Sequence, residues 1–176
     1  MIEKIKETVK KKFQADGVTW DQHILPVVRY AKLLARNNGA DQEIVEIAAL
    51  MHDIAVLDDD QNHHIAGAVE AENVLKKLGL SEEKIKKVKH CIESHRAGRK
   101  IKRESREADC VANADAMAHI SRLPYLFYVT FRIKGMSFGE GMDWIAKKVQ
   151  RDWEKLSPEA KEIIKEEYLV SQAILK

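Results

Sequence analysis

The chain has 176 residues, 45% of them hydrophobic and 33% charged, a balance that fits a soluble globular protein and excludes a disordered or membrane-embedded one. Thirty basic side chains against 28 acidic ones leave a formal net charge of +2, too weak a field to imply nucleic-acid binding by itself. No apolar run approaches the roughly 20 residues needed to span a bilayer. The N-terminal stretch MIEKIKETVKKKF is charged where a secretory signal would be apolar, so the expected location is the cytoplasm.

A chain of this length can bury a core without disulfides, and one domain over residues 1–176 is the expectation. Cys91 and Cys110 form no CxxC pair and read as small buried hydrophobes. A homodimer is compatible with such a chain.

Apolar residues recur at three- and four-residue spacing with no convincing strand alternation, which predicts an all-α helical bundle. Residues 2–14 read as an amphipathic helix. Thr19-Trp20-Asp21-Gln22 resembles a capping box for a second helix reaching about Asn37, with Gly39 just beyond its end. Pro26 should bend that helix or move its start later. Asp41 is placed to cap a third helix whose Ile44, Ile47, Ala48 and Met51 form an inward stripe. It should stop near Ile54, before the turn-like cluster Asp58, Asp59, Asp60 and Asn62. A fourth helix runs from His63 to Leu78 and ends at Gly79; Ser81 caps a fifth that reaches about His95. Arg96 to Arg103 is a basic loop, followed by a helix from about Glu104 to His119. Three more helices are expected, over Pro124 to Arg132, Ser137 to Lys155 and Pro158 to Leu175, the last begun by Ser157 with proline at its first position.

All seven histidines lie between positions 23 and 119, whereas a solvated surface would scatter them. Imidazoles and carboxylates together are what borderline divalent metals bind. His52 and Asp53 follow the apolar run Ile44 to Met51, and neighbours on a helix point about 100 degrees apart. They can share one ion only near a helix end, which is where they fall. His23 and Asp115 could close that site from two further elements, giving two nitrogens and two oxygens with open positions for water. Such a set suits Mn, Fe, Ni or Mg rather than a closed structural zinc. A second ion would need further donors, for which His63 and His95 are the best candidates, with Asp53 bridging. His63 is favoured over His64 because it lies four residues before Gly67 and shares its helix face. Two metals about 3.5 to 4 Å apart would polarise a phosphoryl oxygen and supply a hydroxide. No serine nucleophile elbow and no phosphate-cradling glycine loop occurs.

Several other residues have a bland reading beside a functional one. Glu70 shares the His63 face and could hold a metal-bound water, although a salt-bridged helix residue is its ordinary role. His119, one turn after Asp115, is either a hydrogen-bond partner of that aspartate or a surface histidine. Arg96, Arg99, Lys100, Lys102 and Arg103 form either a solvated basic loop or a phosphate-binding one, since arginine can hold phosphate through two hydrogen bonds. Tyr125, Phe127, Tyr128 and Phe131 either wall a base-binding pocket or belong to the core, and core is the default reading.

His23, the doublet His52-Asp53 within AALMHDIA, the segment His63-His64-Ile65-Ala66-Gly67-Ala68, IESH ending at His95, and Ala114-Asp115-Ala116 together resemble the HD superfamily of metal-dependent phosphohydrolases. The resemblance covers about residues 18–120 and leaves 1–17 and 121–176 unmatched. It implies an all-helical fold, metal ligation by His23, His52, Asp53 and Asp115, and phosphomonoester, phosphodiester or nucleotide substrates. In members with two metals, histidines after the doublet complete the second site; His63 and His95 occupy those places, which selects His95 over His90. After the doublet the chain reads Ile54-Ala55-Val56, where many members carry a lysine and some single-metal nucleotidases a glutamate. One phosphate binder or catalytic carboxylate is thereby missing.

The expected activity is hydrolysis of a small phosphorylated metabolite or nucleotide with one or two divalent cations. Asp53 and the metals would generate the hydroxide, and Arg96 or Arg99 would neutralise charge growing on the phosphoryl oxygens. Two rivals stand beside it: a di-iron protein that activates oxygen, as some relatives of the superfamily do, and a ligand-sensing module that keeps its metal but turns nothing over.

Overall fold

Capping residues and left-handed glycines set several of the helix boundaries in the computed structural model, which describes residues 1–58, 61–96 and 101–176. Every regular element among them is helical. Helix α1 (Ile2–Lys12) buries Ile5 and Val9, and Phe13 beyond its end continues the same four-residue spacing into the core. The expected Thr19 cap does not form. Asp16 does that work, its carboxylate accepting the Val18 and Thr19 N–H groups at 3.1 Å, while the Thr19 hydroxyl is buried 3.4 Å from that of Tyr125.

Trp20–Ile24 is a single π turn that runs directly into α2 (Leu25–Asn38). Pro26, at the first turn of α2, has no N–H to donate back into the α register, and the wider turn before it absorbs the mismatch. Proline thus moves the regular start of the helix, and the displaced turn carries His23. Gly39 ends α2 at a φ of 74°, its N–H donating to the Ala35 carbonyl. The Asp41 carboxylate then accepts the Glu43 and Ile44 N–H groups at 3.0 and 3.3 Å, a cap that contributes about 1 kcal/mol to α3 (Gln42–Met51).

All residues of α3 from Ile44 to Met51 are buried, a wider contact than one stripe. Past Met51 the chain tightens into successive three-residue turns, Ile54 N–H to Met51, Val56 to Asp53 and Asp58 to Ala55. His52 and Asp53 sit at that change of register. Helix α4 (His63–Lys77) ends before Gly79, and Ser81 caps α5 (Glu82–Ser94). Helix α6 (Arg106–Ser121) starts after Glu104 because the Ser105 hydroxyl takes the Ala108 N–H. It is buried on nearly every side and packs against α2, α3 and α5.

The C-terminal part departs most from expectation. The predicted Pro124–Arg132 helix is α7 (Leu123–Phe127) followed by a π segment, Tyr128–Ile133. Helix α8 (Phe138–Lys155) lies against α6. The predicted Pro158–Leu175 helix is two, α9 (Pro158–Ile163) and α10 (Lys165–Ile174), broken at Ile164 with φ −115° and ψ 23°. The break lets Ile164 enter the core, Tyr168 stack on Trp153 at 3.9 Å, and the Ser171 hydroxyl donate to the Ile120 carbonyl at 3.0 Å. Packing here overrides helix propensity. One connected cluster of buried apolar side chains draws on every helix from α1 to α9. Among the described residues no helix is long and apolar enough to cross a membrane.

Candidate metal centre

Five elements deliver polar side chains to the middle of this apolar bundle. His23 comes from the π turn, His52 and Asp53 from the end of α3, His63 from the first residue of α4, His95 from just beyond α5, and Asp115 from the middle of α6. All six are less than 9% exposed, and His23 and His52 are fully buried. Removing a charged group from water costs several kcal/mol unless it is compensated. What compensates them defines the site.

The donors fall into two sets around Asp53. In the first, His23 Nε2 lies 3.1 Å from His52 Nε2 and 3.2 Å from Asp53 Oδ2, and His52 Nε2 lies 3.4 Å from that oxygen. Asp115 Oδ1 completes it at 3.6 Å from His23 and 3.9 Å from His52. In the second, Asp53 Oδ1 is 3.2 Å from His63 Nε2 and 3.6 Å from His95 Nε2, with 3.3 Å between the two nitrogens. Donors about 2.1 Å from one cation would be about 3.0 Å apart at right angles and about 3.4 Å apart at tetrahedral angles. The observed separations fall close to that range, so both sets fit a divalent ion.

Hydrogen bonds behind the rings aim two of the nitrogens. His52 Nδ1 donates to the Ala49 carbonyl at 2.8 Å, and His95 Nδ1 to that of Ile92 at 2.6 Å, which leaves each Nε2 as a lone pair when the ring is neutral. His23 is held otherwise. Its Nδ1 has no hydrogen-bond partner, and its ring lies between Tyr125 at 4.9 Å and His119 at 4.7 Å, nearly parallel to both.

Burial and the neighbouring carboxylates pull the two fully buried rings in opposite directions. Burial drives His23 down to about 4, making the ring neutral and available as a donor. Burial opposes charge on His52 as well, but Asp53, Asp115 and the Ala49 carbonyl outweigh it and hold that ring up at about 9. His52 therefore carries a proton at neutral pH, paired with the two carboxylates. Burial would raise the Asp53 carboxyl; His52, His23 and His95 together keep it well below the usual carboxylate range.

A third group of donors, His23, Asp115 and His119, is also close enough to hold an ion. It already has its cations. Lys148 Nζ lies 3.0 Å from His119 Nδ1 and 2.7 Å from Asp152 Oδ2, and Lys155 Nζ lies 3.4 Å from Asp115 Oδ2. Asp152 is only 1% exposed, and its Oδ2 is 3.1 Å from His119 Nδ1. This α8 contribution is absent from the sequence reading. Its signal was legible: Ile145, Val149 and Asp152 are spaced as one buried stripe, so an aspartate stands where a hydrophobe belongs.

The remaining candidates take humbler positions. His64 is buried beside His63 but outside all three donor sets. His90 accepts the Glu104 N–H at 3.0 Å, away from the centre. Glu70 pairs with Lys12 at 3.2 Å. A methyl added at Gly67 would meet Ile54, the His52 carbonyl and Ile92 at ordinary contact distances, so that glycine is not forced by crowding. Arg96 is half-buried and donates to the Gln61 carbonyl, which ties the chain after His95 to the chain before His63. Arg99 and Lys100 lie outside the described residues.

A family model described as HD domain matches residues 20–119, from the π turn to His119. Among solved structures, the crystal structure of Bacillus subtilis YpgQ in complex with ADP is similar with a TM-score of 0.71 at 23% identity, covering 99% of this chain and 94% of that one. At that identity the likeness is one of fold. No curated protein matches the chain.

Proposed function

Because the chain belongs to the HD domain family, we propose that it hydrolyses a phosphoester of a small metabolite or nucleotide with water activated by two divalent cations. The observation that carries this reading is the division of Asp53, whose Oδ2 faces one donor set and whose Oδ1 faces the other. A carboxylate so divided is suited to bridging two ions. His23, His52, Asp53 and Asp115 would hold the first and Asp53, His63 and His95 the second, with Mn, Fe, Ni or Mg as the candidates. When bound, such a pair supplies Lewis acidity and a hydroxide at neutral pH. The ADP held by YpgQ supports a nucleotide or similar phosphorylated ligand.

The chain's own side chains do the rest. His23 and His95, whose rings burial disfavours charging, and the ionised Asp53 and Asp115 would donate without first losing protons, whereas His52 would have to give one up. Arg96, tethered to Gln61, would lend its remaining N–H donors to the phosphoryl oxygens, and Arg99, three positions later in the sequence, would assist. We read residues 1–176 as one HD-type domain, with 121–176 packed on the matched segment.

Elemental analysis of protein purified without chelators, paired with phosphomonoesterase, phosphodiesterase and nucleotide substrates, tests the proposal. The expected result is about two metals per chain and release of phosphate or nucleotide. Oxygen consumption by iron-loaded protein with no hydrolysis, or tight nucleotide binding with no turnover under any metal, would refute it.

A further inference from the structure

The two aspartates of the centre use their oxygens differently. Asp53 turns both inward, one to each donor set. Asp115 turns only Oδ1 inward, toward His23 and His52, while Oδ2 points away and meets Lys155 Nζ at 3.4 Å. A carboxylate can offer a cation one oxygen or two. We infer that Lys155 is a positioning residue that restrains Asp115 to a single inward oxygen, keeping a coordination position of the first ion free for water or substrate. The inference rests on the metal reading above, and the residues it adds, Lys148, Asp152 and Lys155, lie outside the matched segment 20–119.

The lysine is built in for that task. Its side chain is 14% exposed, so its ammonium is largely withdrawn from water, and it is anchored from behind by Asp152 Oδ1 at 3.7 Å. Asp152 in turn is held by Lys148 and His119 through its other oxygen. Two lysines and two aspartates thereby close a charge-balanced arrangement around the outer face of Asp115. If Oδ2 were released it could swing toward the first ion, bind it with both oxygens and occupy the place the reaction needs. Lysine suits the purpose because it draws on one oxygen and, unlike a second carboxylate, does not compete for the metal.

Cobalt(II) substitution reads this directly, since its visible absorption responds to coordination number and geometry. In Lys155→Met, cobalt should bind within about threefold of the wild-type affinity but with an altered spectrum, and kcat should fall about 30-fold with KM changed less than about twofold. Lys155→Arg, which keeps the cation, should return the wild-type spectrum and most of the rate. If Lys155→Met does not fold by circular dichroism, Asp152→Asn, which loosens the lysine from behind, should shift the spectrum in the same direction by less. A wild-type spectrum in every folded variant overturns the inference while leaving the metal reading intact. Failure of the wild-type protein to bind cobalt at all overturns the metal reading, and this inference with it.

Discussion

Two buried acidic clusters lie side by side in this molecule, and they are compensated in opposite ways. Around Asp53, no lysine or arginine among the described residues comes within ion-pair distance; its neighbours are the imidazoles of His23, His52, His63 and His95. Around Asp152, Lys148 and Lys155 stand at 2.7 and 3.7 Å. Among the described residues the first cluster has no lysine or arginine partner at Asp53, and it would be satisfied by a proton on His52 or by a metal. The second is complete as it stands. A knot of buried histidines and carboxylates therefore points to a metal when its own ammonium and guanidinium partners are missing, and to structure when they are present. Asp115 belongs to both, with one oxygen on each side.

The sharpest way to break this contrast is Asp53→Ala. It removes a donor from both sets at once, so metal content should drop from about two per chain to near zero and hydrolysis should fall by about a thousandfold or more. Helicity should persist by circular dichroism. Single changes at His63 or His95 should cost one metal equivalent, so a loss of both would undo the division into two sets.

On the other side of the contrast, Asp152→Ala should destabilise the protein whether or not metal is present. It leaves two poorly exposed lysines with less compensation; a fully buried pair broken this way costs about 3–5 kcal/mol, and the partial exposure of the lysines brings the expectation to about 2–3 kcal/mol in urea unfolding. An unchanged midpoint would show that the α8 arrangement is ornamental.

Metal removal addresses the first cluster alone. Saturation at a hundredfold over Kd should stabilise the native state by about 2.7 kcal/mol for each ion bound, raising Tm by about 5–10 °C per ion for a chain of this size, and a chelator should reverse it. The linked proton has a defined sign. His52 sits at about 9 in the metal-free fold against 6.5 when unfolded, so its contribution to metal-free stability is full below pH 6.5 and lost as pH rises through about 9. Metal must displace that proton, so affinity should climb with pH until about 9 and level off above it. Calorimetry in buffers of different ionisation enthalpy should find about one proton released per chain near pH 7.

The smallest effect expected is at Gly67→Ala. The added methyl finds ordinary contacts, and alanine is favoured over glycine inside a helix by about 1 kcal/mol, so stability should be unchanged or slightly raised. A large loss would mean that the His63 end of α4 is tighter than the contacts around Gly67 indicate.

Read residue by residue, the chain itself determined the helical class and the ends that local chemistry controls. Gly39, Asp41, Gly79 and Ser81 act within three or four residues of themselves, and such signals survive without tertiary context. The six proposed donors were legible as candidates, because histidines and aspartates at the ends and buried faces of apolar helices are costly unless something binds them, although only the family resemblance selected His95 over His90. Folding alone decided the rest. The break at Ile164 and the diversion of the Thr19 hydroxyl to Tyr125, which leaves capping to Asp16, follow from packing between distant segments. Asp115 and Lys155 are separated by 40 residues, and their meeting depends on how α8 lies against α6. Periodicity fixes which face of a helix is inward but not which neighbour it meets, and the chemistry of Asp115 depends on the neighbour.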